Sequence, residues 1–285
     1  MSLSNMERLM MKHLKKLQVS YFGKINLEYF RLFDYKSLKN KFKMYIDQDI
    51  KIADIVNSNI KTADIFKKYG IDFCCGGGIS IAKACQKLNL NVEEIIEELN
   101  KIDNKVVLSQ NYNKWELDYL ADYIVNTHHA YVLDAIELLD AYTSKVAKVH
   151  GEHHPPVLEI QRLYNLVKIE LLQHMLKEER VLFPYIKEMV KFKRDNESLV
   201  RSHFGSVQNP IKMMELEHES AGDTLKEIAS LSMNYSPLEW ACNTFKALYA
   251  KLDEFEQDLH LHVHLENNIL FPKAIDLEKS FQPTE

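Results

Sequence analysis

The chain is 285 residues long, 46% hydrophobic, and carries a formal net charge of −5. That apolar content supports a sizeable core and excludes a disordered or fibrous chain. Eight Gly and seven Pro are too few for the turns of an all-β sandwich or barrel, and the negative charge removes the general electrostatic case for a nucleic-acid partner.

No apolar run approaches the ~20 residues that cross a bilayer, and the N-terminus lacks the apolar core of a secretory signal, so no membrane partner is expected. Four Cys, three of them within Cys74–Cys85, read as a local thiol cluster and not as a disulfide framework. A reducing, cytoplasmic location follows. Length predicts two domains.

Residues 1–45 are basic, with ten Lys/Arg against three Asp/Glu, and are read as an extension of open role. Within it, Met10–Leu17 has the pattern of a short amphipathic helix. Residues 46–105 read as a small helical domain. A helix over Lys61–Tyr69 stops at Gly70, a natural residue after a helix end. Ser80 is placed to cap Ile81–Leu88, and Asn91–Leu99 gives another short helix. A linker, Val106–Asn113, leads to residues 114–278, which read as four long helices.

The first long helix is expected to start at Asn113, with Glu116 completing a capping box, and to run to about Val149. The second spans about Pro156–Lys191. The third follows Asn209-Pro210, a cap and first-turn proline. The fourth follows Ser236-Pro237-Leu238-Glu239, read as a cap, a proline and an N3 glutamate. The fold class is therefore all-α, an up-down four-helix bundle preceded by a small helical domain.

Histidine placement points to the site. Of 12 His, 11 lie between His128 and His264. Two segments repeat each other: His174 and Glu178 followed by Leu182-Phe183-Pro184, and His262 and Glu266 followed by Leu270-Phe271-Pro272. Residues i and i+4 share a helix face, so each imidazole and carboxylate can serve one metal site.

On an ideal wheel, His174 lies on the stripe of Leu163, Val167, Val181 and Tyr185, and His262 on that of Leu248, Phe255, Leu259 and Ile269. His218 aligns with Ile211, Met214, Ala221 and Leu225. His128 aligns with Leu117, Ala121, Ile124 and Ala135, whereas His129 falls on a solvent strip with Asp118 and Asp122. Polar groups within apolar stripes are costly unless paired or metal-bound.

The wheel thus nominates His128, His174, Glu178, His218, His262 and Glu266. Imidazole and carboxylate without thiolate suit two non-haem iron ions bridged by oxo and carboxylate groups, and manganese fits the same donors. Open positions on the metal would accept a small ligand. Glu170, one turn before His174, is nominated as a supporting carboxylate. His260 and His264 are read as exposed, opposite His262.

Cys74-Cys75-Gly76-Gly77-Gly78 precedes a helix start, where thiols have lowered pKa and become nucleophilic or metal-binding. Cys74 and Cys75 are nominated for redox, relay or docking chemistry, Cys85 as a neighbour that could approach them, and Cys242 as a small core residue.

These motifs carry a resemblance. Tyr69-Gly70-Ile71-Asp72-Phe73-Cys74-Cys75-Gly76-Gly77 with Cys85 resembles the N-terminal domain of the iron–sulfur cluster repair family (RIC, ScdA, YtfE). Glu217-His218-Glu219 and Leu265-Glu266-Asn267-Asn268-Ile269-Leu270-Phe271-Pro272 resemble that family's hemerythrin-like bundle. The resemblance covers about four-fifths of the chain and leaves residues 1–45 without a counterpart.

It implies a hemerythrin-like di-iron domain, places the family's ligands on the same six residues, and puts its conserved cysteines on Cys74 and Cys75. The role implied is repair of clusters damaged by nitrosative or oxidative stress, by supplying iron to damaged iron–sulfur proteins. The competing reading is a nitric oxide or dioxygen reductase or binding protein of hemerythrin type. The oligomeric state, a homodimer among the options, stays open.

Overall fold

A computed structural model describes residues 46–102, 112–200 and 202–281. The basic extension, its Met10–Leu17 helix and most of the Val106–Asn113 linker lie outside the described residues. Ile46–Glu285 forms one compact unit. Its elements are α1 (Ile52–Ser58), α2 (Thr62–Lys68), α3 (Ile81–Leu88), α4 (Val92–Leu99), α5 (Leu117–Tyr123), α6 (Ala130–His150), α7 (Pro156–Lys177), α8 (Phe183–Asp195), α9 (Gln208–Leu231), α10 (Asn243–Leu265) and α11 (Phe271–Lys279).

Four rods make the bundle, with α6 on α7, α7 on α9, α9 on α10 and α10 back on α6. Three of the rods are interrupted by a π-helical turn, at Ile124–His129, Glu178–Leu182 and Glu266–Leu270. The last two have a shared cause in the repeated Phe-Pro. Pro184 and Pro272 have no N–H, and each ring would collide with the carbonyl of residue i−4, Arg180 or Asn268. The wide turn moves those carbonyls aside and keeps the rod continuous.

The small helices α1–α4 pack on the rods through one continuous apolar cluster running from Ile46, Ile52, Phe66, Ile81 and Ile95 to Leu139, Leu163, Leu225 and Phe255. A second cluster fills the opposite end with Leu120, Phe183, Ile211, Leu265 and Phe271. Between them along the rods, His174, Glu178, His218 and Glu266 are buried.

Asn209-Pro210, read as a cap and first-turn proline, lie inside α9, which starts at Gln208 behind Val207 without a side-chain cap. Helix starts differ from the sequence expectation at two further places. Asn113 belongs to a 3-10 turn, Tyr112–Lys114, and α5 starts beyond Glu116, which makes no side-chain cap. At the other, Met233, Asn234 and Tyr235 all take left-handed backbone, with φ of 52°, 53° and 58°. Asn234 N–H donates to the Ala229 carbonyl and Tyr235 N–H to Ser232 Oγ. This turn closes α9 and sends Ser236-Pro237 into a linker, so α10 begins only at Asn243. Cys242 is consequently exposed before the helix start, not a core residue. Ser80 does cap α3, accepting from the Lys83 N–H, and Asn91 caps α4.

Candidate metal centre

Between the two apolar clusters, Glu178 and Glu266 are fully buried. Each presents its two oxygens to two imidazoles. Glu178 Oε1 lies 3.3 Å from His174 Nε2, and its Oε2 lies 3.4 Å from His129 Nε2. Glu266 Oε1 lies 3.0 Å from His262 Nε2, and its Oε2 lies 3.1 Å from His218 Nε2.

Two compact quartets result, His129/Glu178/His262/Glu266 and His174/Glu178/His218/Glu266, each with its donor atoms within 4.8 Å of one another. Both glutamates belong to both quartets, which is the arrangement of two adjacent ions bridged by two carboxylates. His174 Nε2 and His218 Nε2 are 3.0 Å apart. Two nitrogens bound at right angles on one ion, each at about 2.1 Å, stand about 3.0 Å apart.

The donor set fits a cation on a further ground. Both Glu178 oxygens, Glu266 Oε2 and His129 Nε2 are buried without a hydrogen-bond partner. Buried polar atoms are normally satisfied, and two carboxylates sunk side by side in a core demand positive charge. Burial pushes Glu266 up, but His262 and His218 outweigh it and hold its carboxyl well below the ordinary value. Burial and Glu266 push Glu178 up, and His174 and His129 bring it below its ordinary value. Both are therefore ionised, the state that ligates.

The imidazoles are oriented from behind. His129 Nδ1 donates to Glu179 Oε1 at 2.7 Å, His174 Nδ1 to Glu217 Oε2 at 2.8 Å, and His218 Nδ1 to Asn267 Oδ1 at 2.9 Å. An Nδ1–H so engaged leaves the Nε2 lone pair facing the quartets. Lys177 pairs with Glu217 in turn. These outer partners were not nominated from sequence. Their signal was adjacency, since Glu179, Glu217 and Asn267 each directly flank a nominated residue.

Of the six residues nominated from the wheel, five are brought together. The sixth, His128, is in neither quartet, and His129 occupies that place. His128 is buried, donates from Nδ1 to Asp258 Oδ1 at 2.9 Å, and stacks on His262 with ring centroids 5.6 Å apart. The wheel assumed an unbroken α-helical pitch. The π turn at Ile124–His129 adds about one residue to the turn, so both histidines point inward and the second reaches Glu178. His129 is 1% exposed, not on a solvent strip.

Glu170 is in neither quartet; its Oε2 is buried without a partner, one turn before His174. His260 and His264, expected to face water, are covered by the small domain. Phe73 packs against both rings, at 5.9 and 5.8 Å between centroids. Burial lowers the pKa of each to about 4.

The cysteine loop sits directly on the α10–α11 junction. Asn268 Nδ2 donates to the Cys74 carbonyl at 3.0 Å and lies 3.3 Å from the Phe73 carbonyl, and Asn267 Nδ2 lies 3.5 Å from the Cys74 carbonyl. Asp72 Oδ1 gathers the loop from within, accepting from the N–H groups of Cys74 and Cys75 at 3.0 Å each. Gly70 takes φ of 66° to end α2, and a Cβ on Gly77 would meet the Phe73 carbonyl at 2.4 Å. A side chain would be strained at Gly70 and would collide at Gly77.

The Cys74 thiol is not lowered by the helix start. Its hydrogen bond to Cys75, its burial and Asp72 raise it well above the ordinary value. Cys85 is buried in the core and takes no part in the loop's thiol–carboxylate cluster.

Residues 120–274 match the family model described as Hemerythrin HHE cation binding domain. The bundle and its donors are thus those of a hemerythrin-type cation-binding domain. Residues 48–103 match ScdA_N, a domain of unknown function (DUF542). The iron–sulfur cluster repair protein ScdA of Staphylococcus haemolyticus is 35% identical over 222 residues, 78% of this chain and 96% of the relative. ScdA of Staphylococcus epidermidis is 36% identical over 81% of this chain and all of the relative. The iron–sulfur cluster repair protein YtfE of Yersinia pseudotuberculosis is 34% identical over 74% of this chain and 90% of the relative. The chain belongs to this family of iron–sulfur cluster repair proteins. Among the described residues no helix is long and apolar enough to cross a membrane.

Proposed function

We propose that this chain is a cytoplasmic di-iron protein that repairs iron–sulfur clusters damaged by nitrosative or oxidative stress, and that it does so by supplying iron to the damaged proteins. The observation that carries the proposal is the sharing of Glu178 and Glu266 by both histidine quartets. The relatives' names supply the repair role, and the donor chemistry supplies the metal.

In this reading His129 and His262 would hold one ion and His174 and His218 the other, with Glu178 and Glu266 shared between the two. Nitrogen and oxygen donors without thiolate suit iron, and manganese fits them nearly as well. When bound, the ions supply a releasable Fe(II) store. The protein's own residues hold the imidazoles in the ligating tautomer through Glu179, Glu217 and Asn267. Glu170, the next carboxylate along α7, is assigned as the station through which an ion leaves. Cys74 and Cys75, docked on the same junction, are assigned to relay it.

A cluster-depleted dehydratase mixed with the iron-loaded full chain tests this. Activity returns with the native protein and fails with the His262→Ala/Glu266→Ala variant. Equal recovery with both proteins ends the iron-donor reading. Four protein donors per ion also leave room for nitric oxide or dioxygen. Steady gas consumption by the reduced protein, with no iron lost, would favour the reductase alternative.

A further inference from the structure

The thiol loop carries a second constellation, separate from the bundle's quartets. Asp72, Cys74 and Cys75 bring three potential ligand atoms within 4.8 Å of one another. The loop lines a cavity of about 740 Å³, whose walls also include Lys67, Lys226 and His260. His260 Nδ1 is buried without a hydrogen-bond partner.

Distances decide between two uses of the sulfurs. Cys74 Sγ and Cys75 Sγ are 3.9 Å apart. A disulfide would require them to close to about 2.05 Å. Two thiolates on one tetrahedral ion, each at about 2.3 Å, stand about 3.8 Å apart. Asp72 Oδ1 is 3.2 Å from Cys74 Sγ. One oxygen at about 2.1 Å and one sulfur at about 2.3 Å on a tetrahedral ion stand about 3.6 Å apart, within a small side-chain adjustment of this. The loop is therefore already spaced for a single ion.

The loop also faces the bundle's centre. Asn267 accepts from His218 Nδ1 through its Oδ1, and its Nδ2 lies 3.8 Å from Cys75 Sγ. One side chain thus touches an imidazole of the His174/His218 quartet and a thiol of the loop.

We propose that Asp72, Cys74 and Cys75 form a second, mononuclear cation site for one divalent transition-metal ion of borderline softness, with the cavity giving access to it. Binding replaces the Cys74 S–H···Asp72 hydrogen bond with ligation and releases the thiol protons to solvent; no electron is transferred. The site deepens the repair reading only in its cargo: within that reading the ion is Fe(II) in transit, one residue away from the store.

Cobalt(II) titration of the metal-free full chain, followed by absorption, tests the site. The bundle's nitrogen and oxygen donors give ligand-field bands alone. The loop adds thiolate-to-cobalt charge transfer, saturating with one equivalent per chain beyond those taken by the bundle. Cys74→Ser/Cys75→Ser abolishes the charge-transfer band and leaves the bundle bands and helical content in place. Asp72→Asn, which keeps the oxygen that accepts from the loop N–H groups, folds as the native chain and weakens loop binding at least tenfold.

Absence of charge transfer at saturating cobalt overturns the proposal, as does a band that survives both cysteine substitutions. Should the cysteine variant fail to fold, an undiminished band in Asp72→Asn overturns the three-ligand site. Loss of dehydratase reactivation with the cobalt band intact would sink the iron-donor reading and leave this site standing.

Discussion

The bundle's quartets and the thiol loop, joined by Asn267, are opposite solutions to holding a metal. The quartets are carried on continuous rods, use imidazole and carboxylate alone, and fix three of their four rings from behind. The loop uses sulfur, hangs from glycine-permitted turns, and is pinned by Asp72 and two asparagines. The contrast separates retention from exchange. A rigid interior with two bridging carboxylates suits storage, and a small thiol–carboxylate clip on a cavity wall suits a guest that arrives and leaves.

The largest effect is expected from Glu266→Ala, which breaks both quartets at once. The variant should lose both ions by metal analysis. It should also unfold about 3–5 kcal/mol more easily, the usual cost of leaving buried charged partners uncompensated. Urea denaturation with metal analysis reads both. Stoichiometric metal in the variant would dissolve the shared-carboxylate account. Chelation of the native protein should lower its Tm in the same direction, because the ions bind only the folded chain.

A smaller effect falls on the outer partners. Glu217→Gln removes the carboxylate behind His174 and should weaken metal affinity about 10–100-fold while leaving the thiol loop's reactivity unchanged. Competition with a chelator of known affinity measures it. Equal weakening of the loop would show that the two regions are one energetic unit.

The most graded effect is on pH dependence where the small domain meets the bundle. Burial pulls His264 from 6.5 to about 4, against a bond to the Phe73 backbone, and its Nδ1 lies 3.2 Å from Asn268 Nδ2. The unfolded chain therefore binds this proton more readily than the folded one. Stability is unaffected above about pH 6.5 and falls as pH drops toward 4, by up to about 1.4 kcal/mol per unit. Urea midpoints between pH 7 and pH 5 should show this slope in the native chain and a flatter one in His264→Gln. Identical slopes would remove His264 from the interface account.

Much of this was legible in the sequence because helical spacing is local. The repeats from His174 to Pro184 and from His262 to Pro272 state the pairings, whereas the wide turns before their prolines come only with the structure. His128 and His129 show where locality ends. The choice between them depends on a π turn that an ideal wheel cannot contain. His260 and His264 are buried for another reason, since a helix wheel does not contain the separate domain that lays Phe73 across them. The start of α10 was obscured by three consecutive left-handed residues, none of them glycine, which override an otherwise complete capping signal at Ser236.

The most direct measurement is anomalous diffraction at the iron edge from crystals of the iron-loaded full chain. The account predicts two peaks about 3.5–4 Å apart between Glu178 and Glu266, one beside His129 and His262 and the other beside His174 and His218. A single peak, or an ion ligated by His128 in place of His129, would contradict it.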